Sequence, residues 1–256
     1  MRFAVAALIL FCIASSGAAE LKLIKVNPLK LGEKLIFTVS ALGAYLGDQI
    51  ISIDKTVDYQ GQKAVQGGGS IKSSEFVAAV YSLNDREITY FLPGNMSPLY
   101  NEKWIKEGDW IDRMYFYFLP GKVEYKHDKG GGAIKTLPYE GDVIRNFYTL
   151  IQVVRLVDYD YYIQNKLNIE ILYLFGETVT KTVFKPQYKT INFKGKQKGV
   201  IYLEEVGGMN FQVTLLNSPE RIPLILKVPS YSANSQSINF DVELKSYVPG
   251  LKPMVE

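Results

Sequence analysis

The alternation of apolar and polar residues is the feature that most constrains how this chain can fold. In several segments apolar side chains recur at nearly every second position, and the residues between them are mostly polar. The pattern covers residues 35–41, 51–59, 211–215 and 238–244. Because successive side chains of a strand point to opposite faces, this period predicts half-buried β-strands. Turn-forming pairs such as Gln60-Gly61 lie between the segments, and short turns predict antiparallel pairing.

One segment in the middle of the chain has a helical period instead. The spacing predicts an amphipathic helix that begins after Asp142, as its N-cap, and ends near Val157. Its apolar stripe comprises Val143, Phe147, Leu150, Ile151 and Val154, flanked by Ile144 and Tyr148. A helix with such a stripe must bury it against another apolar surface.

These elements predict a mainly β fold. About six strands precede the helix and about six follow it, without a linker or repeat between them. Since strand twist accumulates, a sheet of that size curls or closes. We therefore expect a curled antiparallel sheet or incomplete β-barrel, with one central amphipathic helix packed on its concave face. The chain of 256 residues is 47% hydrophobic, which suffices for one large core, so residues 20–256 are predicted to form a single domain.

The first residues predict an export signal. Arg2 precedes a short apolar run at residues 3–13, and small residues follow at 15–19, which is the order found at a signal-peptide cleavage site. Removal of residues 1–19 would also remove Cys12, the only cysteine. We therefore expect a periplasmic protein. No later apolar run is long enough to span a membrane as a helix, so the mature form is not expected to be membrane-spanning.

Composition excludes several kinds of chemistry. With 29 basic and 26 acidic residues the chain is close to neutral, which argues against nucleic acid as a partner. His127 is the only histidine, and it continues the apolar side of a predicted strand after Val123 and Tyr125, so we expect it at the rim of the core. One histidine without a cysteine cannot form a usual zinc site. We predict no catalytic residue, no metal and no cofactor.

Two further patterns have ordinary structural interpretations. The glycine triplets at residues 67–69 and 130–132 lack the spacing of a phosphate-binding loop, which favours a hairpin or bulge. Tyr100, Trp104 and Trp110 could stack on a sugar, but aromatic packing is the simpler interpretation. Pairs of carboxylates for glycoside hydrolysis can lie anywhere in a sequence, so a carboxylate-dependent glycan hydrolase stays an alternative.

The order of three landmarks resembles an exported bacterial family. The landmarks are Gly-Glu-Lys-Leu-Ile-Phe at residues 32–37, the part of the predicted helix from Asp142 to Arg155, and Arg-Ile-Pro-Leu at residues 221–224 before a last strand. They are similar to those of domain of unknown function 3108. The resemblance implies a periplasmic open β-barrel, similar in outline to carriers of lipoprotein and lipid, with no established activity. Within the landmarks we expect Asp142, Arg155 and Arg221 to have structural roles.

The leading hypothesis is a non-enzymatic protein of the cell envelope that binds an apolar or amphipathic, lipid-like component. Its binding site would lie between the curled sheet and the helix. The candidate ligand-binding residues are Phe147, Tyr148, Leu150, Ile151 and Val154. The first alternative is a scaffold or assembly partner of an envelope protein, with a completely filled barrel. An outer-membrane barrel is disfavoured because it leaves no place for the helix.

Overall fold

The computed structural model describes residues 21–129, 131–141, 143–207, 211–229 and 239–254. The predicted export signal, Cys12 and the predicted cap Asp142 lie outside these residues. The strands are β1 (Lys30–Leu31), β2 (Glu33–Ala41), β3 (Ala44–Tyr59), β4 (Gln62–Ser73), β5 (Asn84–Phe91), β6 (Pro98–Glu107), β7 (Trp110–Leu119), β8 (Lys122–His127), β9 (Lys135–Pro138), β10 (Ile144–Arg145), β11 (Ile169–Phe175), β12 (Thr178–Phe193), β13 (Lys196–Glu205), β14 (Gln212–Leu216), β15 (Pro223–Pro229), β16 (Asn239–Val248) and β17 (Lys252–Pro253). The helices are α1 (Glu75–Ala78), α2 (Phe147–Val153) and α3 (Tyr159–Gln164).

One large sheet of fifteen strands dominates the fold. Its order is β10-β11-β12-β13-β14-β15-β16-β2-β3-β4-β5-β6-β7-β8-β9, so β10 and β9 form its two edges. Every neighbouring pair is antiparallel except β10 and β11, which are parallel. The sheet curls, and its two ends meet through side chains: Phe116 and Tyr125 pack in one apolar cluster with Ile144 and Leu174. The predicted mainly β fold with an incomplete barrel is confirmed.

The helical segment differs from its prediction. The described residues form three short helices, of which only α2 lies within the segment predicted as one long helix, and α2 begins at Phe147. Ile144 and Arg145 instead pair with β11, because a strand edge is available to satisfy their backbone groups. Asn146 is the cap: its Oδ1 accepts from the Thr149 N–H at 2.9 Å, and the Thr149 hydroxyl accepts from the Asn146 N–H at 3.1 Å. This capping box replaces the cap predicted at Asp142.

The C-terminal part of the predicted helix is also corrected. Helix α2 ends at Val153 rather than near Val157, and Asp158 then caps α3, its Oδ1 accepting from the Tyr161 N–H at 3.2 Å. Both helices start at a residue whose side-chain oxygen satisfies a backbone donor of the first turn. Residues 154–156 form a turn between the two helices.

Helix α2 fills the interior against strands β3 and β4. Tyr148 is fully buried, and its hydroxyl donates to the Ser52 carbonyl at 2.6 Å. The ring lies directly over Gly67, where an added Cβ would stand 2.0 Å from the tyrosine oxygen. The glycines at 67–69 thus lie inside β4 and not in a hairpin turn, and a register shift between Ile53 and Lys55 of β3 lies opposite Gly67. A side chain at Gly67 would displace the helix.

A buried ion pair lies at one end of the barrel. The Arg155 guanidinium, directly after α2, pairs with the carboxylate of Glu33 at the start of β2 through two nitrogens, the second at 3.0 Å. Its remaining donors reach the Gln152 amide oxygen at 3.0 Å and the Glu220 carbonyl at 3.0 Å. Arg221 donates to the Val157 carbonyl. The three sequence landmarks therefore meet at this end.

None of the helices in the described ranges is long and apolar enough to cross a membrane.

Candidate functional site

The barrel is open at the end opposite to the buried ion pair. Val39 lies six residues along β2 from Glu33, so the two are roughly 20 Å apart at ~3.3 Å per residue. Around Val39 is a cavity of about 610 Å³. A second cavity of about 250 Å³ lies beside it, and both are lined by Gln49, Ile71, Asp85, Lys103 and Phe147. Together they form one concave site at the open end.

One side of the larger cavity is apolar. Its lining comes from the neighbouring strands β15, β16 and β2 and from the end of β11. These side chains are Val39, Leu174, Phe175, Val228, Phe240 and Val242. None of them carries a hydrogen-bonding group, so this side can contact a ligand only through apolar packing.

The other side of the cavity carries charges and hydroxyls. Asp85, Lys103 and Glu107 come from β5 and β6, and Lys72 comes from β4. Lys103 Nζ lies 3.9 Å from the Glu87 carboxylate. Burial raises the pKa of Asp85 to about 6, although its carboxylate accepts a hydrogen bond from the Lys106 N–H at 2.9 Å. The site is thus amphipathic, with ionisable groups along one side only.

Phe147 stands at the junction of the two cavities. It is the first residue of α2, is partly exposed, and packs against Phe211 with ring centroids 6.3 Å apart. The other four predicted binding residues lie deeper. Tyr148, Leu150, Ile151 and Val154 are fully buried members of the main core. The structure thus brings one of the five predicted residues to the cavity and packs the rest beneath it.

A polar clasp joins the two ends of the sheet beside the cavity mouth. We use this name for His127, Asp112, Tyr125, Lys135 and Glu177. His127 bonds to Asp112 Oδ2 at 2.6 Å through Nδ1 and to Glu177 Oε1 at 2.8 Å through Nε2. Tyr125 and Lys135 also donate to Glu177, which follows the cavity residue Gly176. His127 is partly buried at the edge of the core, and its described partners are carboxylates rather than a serine.

The other patterns noted in the sequence have structural explanations. Tyr100 packs with Tyr90 and Tyr117 at ring distances of 5.6 and 5.5 Å. Trp104 lies between two guanidinium groups, those of Arg86 at 5.6 Å and Arg113 at 4.9 Å. Tyr100 and Trp104 thus pack with their neighbours on the sheet, and Trp104 also lines the smaller cavity. Within the described ranges, no cluster of three or more histidine, cysteine or acidic side chains could hold a metal ion.

Comparison with known proteins identifies the fold but no family. No family model matches the sequence, and no curated protein matches it. Among solved structures, the chain is similar to the β-barrel-like protein of domain of unknown function 1849 from Brucella abortus. The TM-score is 0.54 at 8% identity, over 90% of this chain and 99% of the other. The likeness supports a β-barrel-like fold of unknown function, and it lends no specific support to domain of unknown function 3108.

The polar clasp predicts how stability depends on pH. Burial lowers the pKa of His127, but the hydrogen bonds to Asp112 and Glu177 outweigh it and raise that pKa above its ordinary 6.5. The hydrogen bond from Tyr125, followed by those from His127 and Lys135, lowers the pKa of Glu177 below 4.5 despite burial. The contribution of His127 to the stability of the fold is fully present below pH 6.5 and is lost as the pH rises through the raised pKa. The contribution of Glu177 to the stability of the fold is present above pH 4.5 and is lost as the pH falls through the lowered pKa.

We therefore expect the clasp to stabilise the fold most between pH 4.5 and 6.5. The measurement is urea unfolding of the wild type and of His127→Gln at about pH 5.5 and about pH 9. The difference in unfolding free energy between the two proteins should be larger at the lower pH. An equal difference at both values, or a larger one at the higher pH, would show that the His127 charge does not hold the sheet ends together.

Proposed function

We propose that this protein is a non-enzymatic binding protein of the bacterial cell envelope. It holds an apolar or amphipathic, lipid-like molecule in the cavity at the open end of the barrel. The order of charged, apolar and small residues at 1–19 supports a periplasmic location. The observation that carries the proposal is the cavity itself: about 610 Å³, apolar on one side and charged on the other. Sites for small ligands commonly measure ~300–1,000 Å³.

The two sides of the cavity suggest how such a ligand would lie. An apolar tail would pack against Phe147, Phe175 and Val242, where it would leave water at a gain of about 25 cal/mol per Å². A polar head would lie near Asp85 and Lys103, whose charges favour a hydrogen-bonding group. This arrangement needs no reacting group, in keeping with a carrier rather than an enzyme.

The packed interior favours a second candidate, the scaffold. Leu150, Ile151 and Val154 are fully buried, and so is the Arg155–Glu33 pair, so much of the barrel is filled. A scaffold needs only such a filled barrel. A scaffold does not require an apolar cavity at the other end of the barrel. For this reason we favour ligand binding over a scaffold role.

The test is a titration with the fluorophore N-phenyl-1-naphthylamine, whose emission rises in apolar surroundings. Wild-type protein should bind it, and Phe147→Glu should bind at least about tenfold more weakly, because a carboxylate would be desolvated by the ligand. Phe147→Ala, a milder change, should weaken binding by a smaller factor. The matched control is Leu167→Glu, an equally drastic change at an exposed residue outside the cavity lining.

Circular dichroism of each variant checks that the fold is retained. No rise in emission with the wild type would overturn the binding proposal and leave the scaffold. Unchanged affinity in both Phe147 variants would place the fluorophore elsewhere and would overturn the assignment of the cavity.

A further inference from the structure

Two neighbouring loops at the open end form an exposed apolar surface. We call residues 41–47 and 74–83 the apolar tip; they comprise the β2–β3 turn and the segment that contains α1. Leu42 is 91% exposed, Phe76 87% and Val80 89%. Isolated exposed apolar residues are ordinary on proteins, but a group of nearly fully exposed ones marks an interaction surface.

The two loops are fixed to each other. The Ser74 N–H donates to the Leu46 carbonyl at 2.7 Å, and Gly47 pairs with Ser73 in the sheet. Ser74 also caps α1 by accepting a hydrogen bond from the Val77 N–H at 3.3 Å. The two segments are therefore joined at their bases, and the apolar tip is a single feature of the fold.

The apolar tip also forms part of the cavity mouth. Leu46, Gly47, Tyr81 and Leu83 belong to these loops and line the larger cavity. Any surface that covered the apolar tip would lie against the mouth of the cavity as well. The apolar tip thus lies next to the site where we propose that a ligand binds.

The charge distribution around the apolar tip indicates what covers it. Across its two segments Glu75 is the only charged residue. Two half-exposed tyrosines come next: Tyr81 donates to Glu107 at 3.2 Å, and Tyr45 lies beside the Asp48 carboxylate. Apart from Glu75, the order is apolar side chains, then tyrosine hydroxyls, then the carboxylates that pair with them. A bilayer boundary has the same order, since tyrosine favours the interface between hydrocarbon and water.

We propose that the apolar tip inserts into the surface of a lipid bilayer and holds the cavity mouth against it. The inference rests on the proposed function, because it supplies the route by which a lipid-like molecule reaches the cavity. A ligand that moves directly between bilayer and cavity keeps its apolar chain out of water throughout the transfer.

The experiment is co-sedimentation of the protein with phosphatidylcholine vesicles, with and without phosphatidylglycerol. The test variant combines Leu42→Asn, Phe76→Ser and Val80→Ser; asparagine suits residue 42, whose φ is 50°. The matched control combines Val26→Ser and Leu251→Ser, which are 79% and 91% exposed and lie outside the apolar tip. We expect the wild type and control to sediment with vesicles and the test variant to partition at least about tenfold less.

The fluorophore titration separates this proposal from the proposed function. The test variant should keep wild-type affinity for N-phenyl-1-naphthylamine, because Leu42, Phe76 and Val80 do not line the cavity. A wild type that binds fluorophore but neither kind of vesicle would overturn membrane docking and leave the cavity assignment standing. A wild type that binds vesicles but no fluorophore would overturn the proposed function alone.

Two further outcomes count against membrane docking. Equal partition of the test variant and the wild type would show that another surface contacts the lipid. A wild-type dimer in solution that the test variant dissociates, without vesicle binding by either, would assign the apolar tip to contact between copies of this chain.

Discussion

Replacing Arg155 with alanine is expected to lower the free energy of unfolding by about 3–5 kcal/mol. Both partners of the Glu33–Arg155 pair are fully buried, so the variant leaves a carboxylate without its cation. The Tyr247 hydroxyl, which donates to Glu33 at 3.1 Å, would be the main remaining partner. The Glu220 carbonyl and the Gln152 amide would each lose a donor. The loss comes from burying an unpaired charge, which costs more than the intact pair contributes.

Urea unfolding measures this loss, and the exposed pair of Lys181 and Glu170 supplies the control. Its nitrogen and oxygen are 3.0 Å apart, but both side chains are about half exposed. Lys181→Ala should therefore cost no more than about 1 kcal/mol. The double variant Glu33→Leu with Arg155→Met should recover much of the loss, since apolar replacement of both partners removes the unpaired charge. Losses of similar size for Arg155→Ala and Lys181→Ala would contradict the structural role of the buried pair.

Leu150→Ala is expected to cost about 2–5 kcal/mol without a change in ligand affinity. Leu150 is fully buried in the main core and does not line the cavity at the open end. Removing its isobutyl group would leave a void that the surrounding side chains fill only in part. Urea unfolding gives the loss of stability, and the fluorophore titration gives the affinity.

The same two measurements distinguish a filled barrel interior from a lined pocket. A small loss of stability with a clear change in affinity would mean that Leu150 contacts ligand. The candidate site would then extend along α2, as the apolar stripe of the sequence predicts, and would not be confined to the region around Phe147.

The strands could be predicted because each keeps one face buried. In β2, Leu35, Phe37 and Val39 are buried and alternate with exposed or half-buried residues, as their period predicts. The start of the helix was missed because apolar spacing alone does not distinguish a helix from a short buried strand. Ile144 fits the helical stripe, yet it pairs with Leu172 of β11. The polar signal was present: an asparagine at 146 with a threonine three residues later is a capping pattern.

The charged side of the cavity could not be located from the sequence. Asp85, Glu87 and Thr89 share one face of β5, so their period indicates a polar face. Which face turns inward depends on how fifteen strands curl, and local patterns do not contain that information. Phe147 was among the predicted ligand-binding residues, but its separation from the other residues of the stripe depends on where α2 begins. The fold class is therefore more predictable from this sequence than the site.

Native mass spectrometry of the protein isolated from its own cells, without detergent, tests the central claim most directly. The proposal of an amphipathic ligand at the open end predicts a wild-type population with the mass of the chain plus one lipid-like molecule. Phe147→Glu should lose that added mass, and Leu167→Glu should keep it. If wild-type protein prepared in this way showed only the mass of the chain, with no population carrying a bound molecule, the claim that the cavity holds such a ligand would be contradicted.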